Sequence, residues 1–66
     1  MSFGERIKQL RLAKGMLQAD LAKAVGTTKQ NISQLEAGKN MPGTSLMLAL
    51  ADFFGVSLDY LFNRNC

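Results

Sequence analysis

Apolar residues recur along the chain at helical spacing in five stretches, most of them closed by a glycine. In the first, from Ser2 to Lys14, Phe3, Ile7 and Leu10 stand at i, i+4 and i+7, with Ser2 as N-cap and Glu5 completing a capping box. Gly15 ends that helix, in the left-handed region where a residue without Cβ carries no penalty. Leu21, Ala22 and Val25 mark a second helix from Gln18, Gly26 and Thr27 make a turn, and Thr28, a good N-cap, opens a third that continues through Ile32 and Leu35 to Gly38. After the loop Lys39-Asn40-Met41-Pro42-Gly43, a fourth helix spans Thr44 to Phe54 with an inner stripe of Met47, Leu50, Ala51 and Phe54. Leu46 and Phe53 form a second stripe and Leu48 lies on the opposite flank, more apolar surface than one small core requires, so burial under a neighbouring helix or a second subunit is expected. Gly55 stops this helix, and Ser57 caps a short last one, Leu58 to Phe62. The pattern predicts an all-α domain of about five short helices over 1–62 and a polar tail over 63–66.

Two positions break local rules. Leu17 stands where Ser, Thr, Asp or Asn would cap the second helix, which leaves Gln18 to turn its amide outward, with a phosphate at the helix N-terminus as a natural partner. A solvated surface glutamine explains position 18, taken alone, equally well. Arg11 follows Leu10 directly and so lies on the inner flank of the first helix, an odd place for a permanent charge.

The stretch from Gln18 to Gly38 is thus two short helices joined by a tight glycine turn, a helix-turn-helix. Generic helical hairpins share that turn, so the outward row of its second helix matters more. Lys29, Gln30, Ser33 and Gln34 lie between the buried positions, and such side chains can read base edges in a DNA major groove: Gln pairs bidentately with adenine and Lys donates to guanine.

Composition narrows the class without naming a function. A 66-residue chain is one domain, and a domain of that length buries only about 60% of its unfolded surface. With 47% hydrophobic residues, 20% charged and one proline, it is not of disordered type. The net charge of +3 suits an anionic partner but is a modest excess. A single cysteine, Cys66, excludes an intrachain disulfide and fits a reducing cytoplasm, and the charged amphipathic opening does not read as a secretory signal. The fourth helix is about half the roughly 20 residues a membrane span needs and is interrupted by Asp52. Without histidine, with one terminal cysteine and with scattered carboxylates, the chain lacks the usual nucleophilic relays, ordinary zinc ligands and glycine-rich phosphate loops. No enzyme activity, metal, cofactor or small-molecule substrate is therefore expected.

Laid out in this way the chain resembles the Cro and lambdoid-phage repressor type of helix-turn-helix domain, the XRE-like family of bacterial and phage regulators, over nearly its whole length. The resemblance is carried by Ile7-x-x-Leu10-Arg11, Gly15-x-x-Gln18-x-x-Leu21-Ala22, Val25-Gly26-Thr27, Ile32-Ser33-Gln34-Leu35-Glu36-x-Gly38, Pro42, and Leu50-Ala51-x-x-Phe54-Gly55-Val56-Ser57-x-Asp59-x-Leu61. It implies a lambda-repressor-like DNA-binding fold whose third helix, about 28–37, enters the major groove while the second crosses the backbone. By the same resemblance Lys29, Gln30 and Gln34 read bases, with Asn31 and Ser33 as second-rank candidates. Gln18, Lys39 and Asn40 hold the phosphate backbone, Thr28 contacts a phosphate or a thymine methyl, and Arg11 and Glu36 form a partly buried structural salt bridge. The sequence departs from the usual pattern at Leu17 and around Met41, and base-reading positions vary within the family, so no operator sequence is inherited.

The expected function is a sequence-specific transcriptional regulator, a repressor, working in the cytoplasm as a homodimer on a pseudo-palindromic double-stranded DNA operator. Leu58 and Tyr60, off the inward stripe of the last helix, are the dimer candidates, against the plainer reading that they fill the core. The alternative is an antitoxin-like protein-interaction module that binds DNA mainly within a complex, for which 66 residues leave little room.

Overall fold

Residues 2–62 are described by a computed structural model. In it α1 (Phe3–Ala13), α2 (Gln18–Val25), α3 (Lys29–Glu36), α4 (Thr44–Phe54) and α5 (Leu58–Phe62) follow one another without a strand among the described residues. The polar tail expected over 63–66, including Cys66, lies outside the described residues.

The local chemistry of the helix ends accounts for the boundaries. At α1 the Ser2 hydroxyl accepts from the Glu5 N–H at 3.2 Å while the Ser2 N–H donates to the Glu5 carboxylate at 2.9 Å, which satisfies two of the donors a helix N-terminus leaves open. Thr28 caps α3 by accepting from the Asn31 N–H at 3.1 Å, and Ser57 caps α5 by accepting from the Tyr60 N–H at 3.0 Å. Lys14 is the last residue of the α1 cap, and Gly15 follows it with φ +67°. At α2, Leu17 offers no side-chain acceptor; Asp20, one turn on, accepts from the Leu17 N–H at 3.0 Å and supplies half of the missing box.

Every helix places a fully buried aliphatic side chain at the centre: Ile7 from α1, Leu21 from α2, Ile32 and Leu35 from α3, Leu50 from α4 and Leu61 from α5. Each contributes roughly 1.5–3 kcal/mol of burial, so the five short helices, none stable alone, hold one another. Phe3 stacks on Phe62 at 4.8 Å between centroids and ties α1 to α5. On α4 the half-buried side chains packing on this core are Leu46, Phe53 and Phe54, at i, i+7 and i+8 around Leu50. The inward face is therefore centred nearer Leu46 than the stripe through Met47 suggests. Most of the apparent apolar excess is absorbed within the domain; Leu48 remains 53% exposed.

One close approach was not anticipated. Gly4, buried in the first turn of α1, lies against the end of α3 so tightly that a Cβ would come within 2.1 Å of the Leu35 carbonyl oxygen and 2.9 Å of that of Glu36. A glycine inside a helix is intrinsically unfavourable, and here the absence of a side chain lets α1 rest directly on the α3 backbone.

Candidate nucleic-acid interface

The geometry of α2 and α3 is set by the turn between them. Gly26 adopts φ +78° as the C-cap of α2, Thr27 donates its N–H to the Ala22 carbonyl at 2.9 Å, and Thr28 starts α3 directly. Ile32 and Leu35 anchor α3 in the core, which turns Lys29, Gln30 and Ser33 to solvent on its opposite side and leaves Gln34 half-buried at the edge. Thr28, placed on the apolar period by its spacing, is exposed instead. Its hydroxyl oxygen is engaged in the cap, and its O–H remains able to donate.

Behind this row a buried ion pair fixes the tilt of α3. Arg11 Nε donates to Glu36 Oε2 at 2.7 Å and a second guanidinium nitrogen reaches Oε1 at 3.1 Å, with the two side chains 8% and 4% exposed. The third guanidinium nitrogen donates to the Met16 carbonyl at 2.7 Å, so Arg11 also clamps the connection between α1 and α2. Gln18 completes the cluster by donating Nε2 to Glu36 Oε1 at 3.0 Å. The attraction of Glu36 for two donors outweighs exposure of the amide, and Gln18 is half-buried as a result.

Two further side chains are committed inside the protein. Asn31 donates Nδ2 to the Thr27 hydroxyl at 2.9 Å, bracing the turn, which leaves its second N–H and its Oδ1 for a further partner. Asn40, in the loop after α3, donates Nδ2 to Gln34 Oε1 at 2.5 Å. Neither pairing carries a sequence signal beyond the amide and hydroxyl residue types themselves. Lys39 and Asn40 are exposed on the loop, where Lys39 donates its backbone N–H to the Gln34 carbonyl at 2.9 Å.

The electrostatics of this side follow from the burial of one carboxylate. Glu36 is the sole acidic residue between Asp20 and Asp52, and it is turned inward and neutralised by Arg11. Lys29 and Lys39 therefore face solvent without a nearby acid on α3 or its following loop, which leaves a positive, hydrogen-bonding surface suited to a polyanion. A concavity of about 380 Å³ lies beside it, lined by Gly26, Thr27, Asn31, Gly43 and Ser45 among others.

On α5 the dimer candidates separate. Leu58 is half-buried and packs on the core, whereas Tyr60 is 37% exposed with the Arg6 guanidinium 4.3 Å above its ring. Among the described residues no three potential metal-ligating side chains cluster, and no helix is long and apolar enough to cross a membrane.

Known proteins share both the sequence and the arrangement. The helix-turn-helix family pattern matches residues 7–61. The SPbeta prophage-derived HTH-type transcriptional regulator YonR of Bacillus subtilis is 39% identical over 59 residues, which cover 89% of this chain and 55% of YonR, so the chain spans about half of that relative. An HTH-type transcriptional regulator of Methanocaldococcus jannaschii is 37% identical over 57 residues, 86% of each chain. Among solved structures, the P22 c2 repressor in complex with synthetic operator 9T superimposes with a TM-score of 0.92 at 35% identity, covering 98% of both chains. Its DNA-binding domain in solution matches at a TM-score of 0.85 and 38% identity, covering 92% of this chain and 80% of that one.

Proposed function

The chain belongs to the helix-turn-helix family and has the lambda-repressor-like DNA-binding fold, and from that premise we propose that it is a sequence-specific transcriptional regulator, a repressor, that binds its operator as a homodimer. The observation that carries the reading is the split of α3: Ile32 and Leu35 are locked in the core while Lys29, Gln30 and Ser33 stand exposed on a face whose one carboxylate is buried. A helix with this division can enter the major groove without disturbing the fold. Lys29, Gln30 and Gln34 read bases, and Ser33 supports them together with Asn31, whose second N–H and Oδ1 remain after the bond to Thr27. Thr28, Lys39 and Asn40 hold phosphates and set register. Gln18, with one amide N–H on Glu36, retains its second for the backbone. The regulators and operator complex among its relatives support the same reading.

Selection of sites from random DNA by the purified chain, followed by binding measurements with Gln30→Ala, tests it. The substitution is expected to cost about 1–3 kcal/mol on the selected site and to relax discrimination at one base pair. An equal loss on random DNA would contradict base reading by Gln30.

A further inference from the structure

Resting on the assignment of Gln34 to base reading, we propose that Asn40 is a positioning residue that decides which end of the Gln34 amide meets the DNA. A free glutamine amide rotates between two orientations and can offer a base both an acceptor and donors, the combination that matches N6 and N7 of adenine. Gln30, exposed and with no side-chain partner among the described residues, keeps that freedom. Gln34 does not: its Oε1 accepts from Asn40 Nδ2, and its Nε2 has no partner among the described residues. The half-burial of Gln34 further limits rotation.

The end left for a ligand is therefore the donating one. In the major groove, donors meet O6 and N7 of guanine or O4 of thymine, while cytosine presents only its N4 donor. Adenine offers N7, but a bidentate pair also needs Oε1 at its N6 group, and that oxygen is drawn toward Asn40, which fills one of its two lone pairs. Gln34 so held prefers guanine or thymine at its base position. The second N–H of the Asn40 amide remains for a phosphate, so its backbone role is compatible with this one.

The test uses the full chain on its selected site and on versions carrying each base at every contacted position. Gln34→Ala first locates the position that Gln34 reads; if it flattens none, base reading by Gln34 fails, and the proposal with it, while Gln30→Ala still reports on the wider function. At the located position the unsubstituted protein is expected to prefer guanine or thymine, and Asn40→Ala to narrow that preference by about fivefold, the worth of one hydrogen bond, with the salt slope and the other positions unchanged. Asn40→Asp can only accept, so it turns the Gln34 NH2 inward and its oxygen outward. Affinity falls everywhere through repulsion of phosphates, but the preference ratio moves toward adenine or cytosine. A preference for adenine in the unsubstituted protein overturns the proposal. So does an Asn40→Ala effect equal for all four bases, which is the signature of a phosphate contact alone. Asn40 is exposed, so circular dichroism should show Asn40→Ala folded, and that variant decides the matter if the charge of Asn40→Asp abolishes binding.

Discussion

Glu36 is the residue on which three helices converge, through Arg11 of α1, Gln18 of α2 and its own position at the end of α3. Removing it strands a guanidinium that is almost fully desolvated, so Glu36→Ala is expected to destabilise the fold by about 3–5 kcal/mol. Replacing the pair by Arg11→Met with Glu36→Leu should cost far less, because no charge is then left buried. Urea denaturation of the two variants checks this, and equal losses would mean that packing rather than charge dominates. Arg11 stood out in the sequence as a permanent charge on an inward flank, and its pairing with Glu36 was implied by the family resemblance. The ties of Gln18 to Glu36, Asn31 to Thr27 and Asn40 to Gln34 were not, since an amide satisfies itself with whatever the fold brings within 3 Å or so. Those three bonds separate the exposed candidates for base reading, Lys29 and Gln30, from polar side chains that already have partners inside the protein.

At the scale of elements, the boundaries were readable wherever a helix end depends on local chemistry, as at the Ser2 and Glu5 box, Thr28, Gly26 and Ser57. What was not readable is the approach of helices to each other, and Gly4 shows why: nothing in its neighbours along the chain announces the Leu35 and Glu36 carbonyls beneath it. Gly4→Ala would gain roughly 0.5–1 kcal/mol of helix propensity, yet the overpacking it forces costs typically 1–3 kcal/mol or more. The expected outcome is a net loss of stability, read as a lower urea midpoint, and because α3 must move, a weaker hold of Arg11 on Glu36. A rise in the midpoint would show that the contact can relax freely. The α1 cap also carries a pH dependence. Glu5 is held below the ordinary carboxylate range, chiefly by the Ser2 N–H and then by the Ser2 hydroxyl. The unfolded chain therefore binds the proton more readily than the folded one, so this stabilisation is fully present above the ordinary glutamate range and is lost as pH falls through the lowered folded value. Thermal melts across that acid window should show the loss in the native protein and less of it in Glu5→Gln, which retains an acceptor that does not titrate there. The same slope in both would assign the effect to other carboxylates.

At the scale of the whole molecule, size limits how two copies can meet. The Cα envelope measures 31 × 23 × 20 Å, and half-sites one helical turn apart separate their centres by about 34 Å. Two copies of this domain so placed would meet through their side-chain shells, a small contact between the domains themselves. Tyr60 suits such a contact: its ring is accessible, and Arg6 steadies one face by a cation–π interaction while leaving α5 anchored through Leu61. Leu58 is less suited, since its packing on the core means that its removal would weaken the fold as well as any interface. Tyr60→Ala is therefore expected to lower cooperative occupancy of a two-half-site operator by several-fold while leaving helical content and single half-site affinity close to the native values. Binding isotherms on one and two half-sites separate these effects. Undiminished cooperativity would return Tyr60 to a role within the monomer, covering Arg6, and shift the subunit contact elsewhere on the surface.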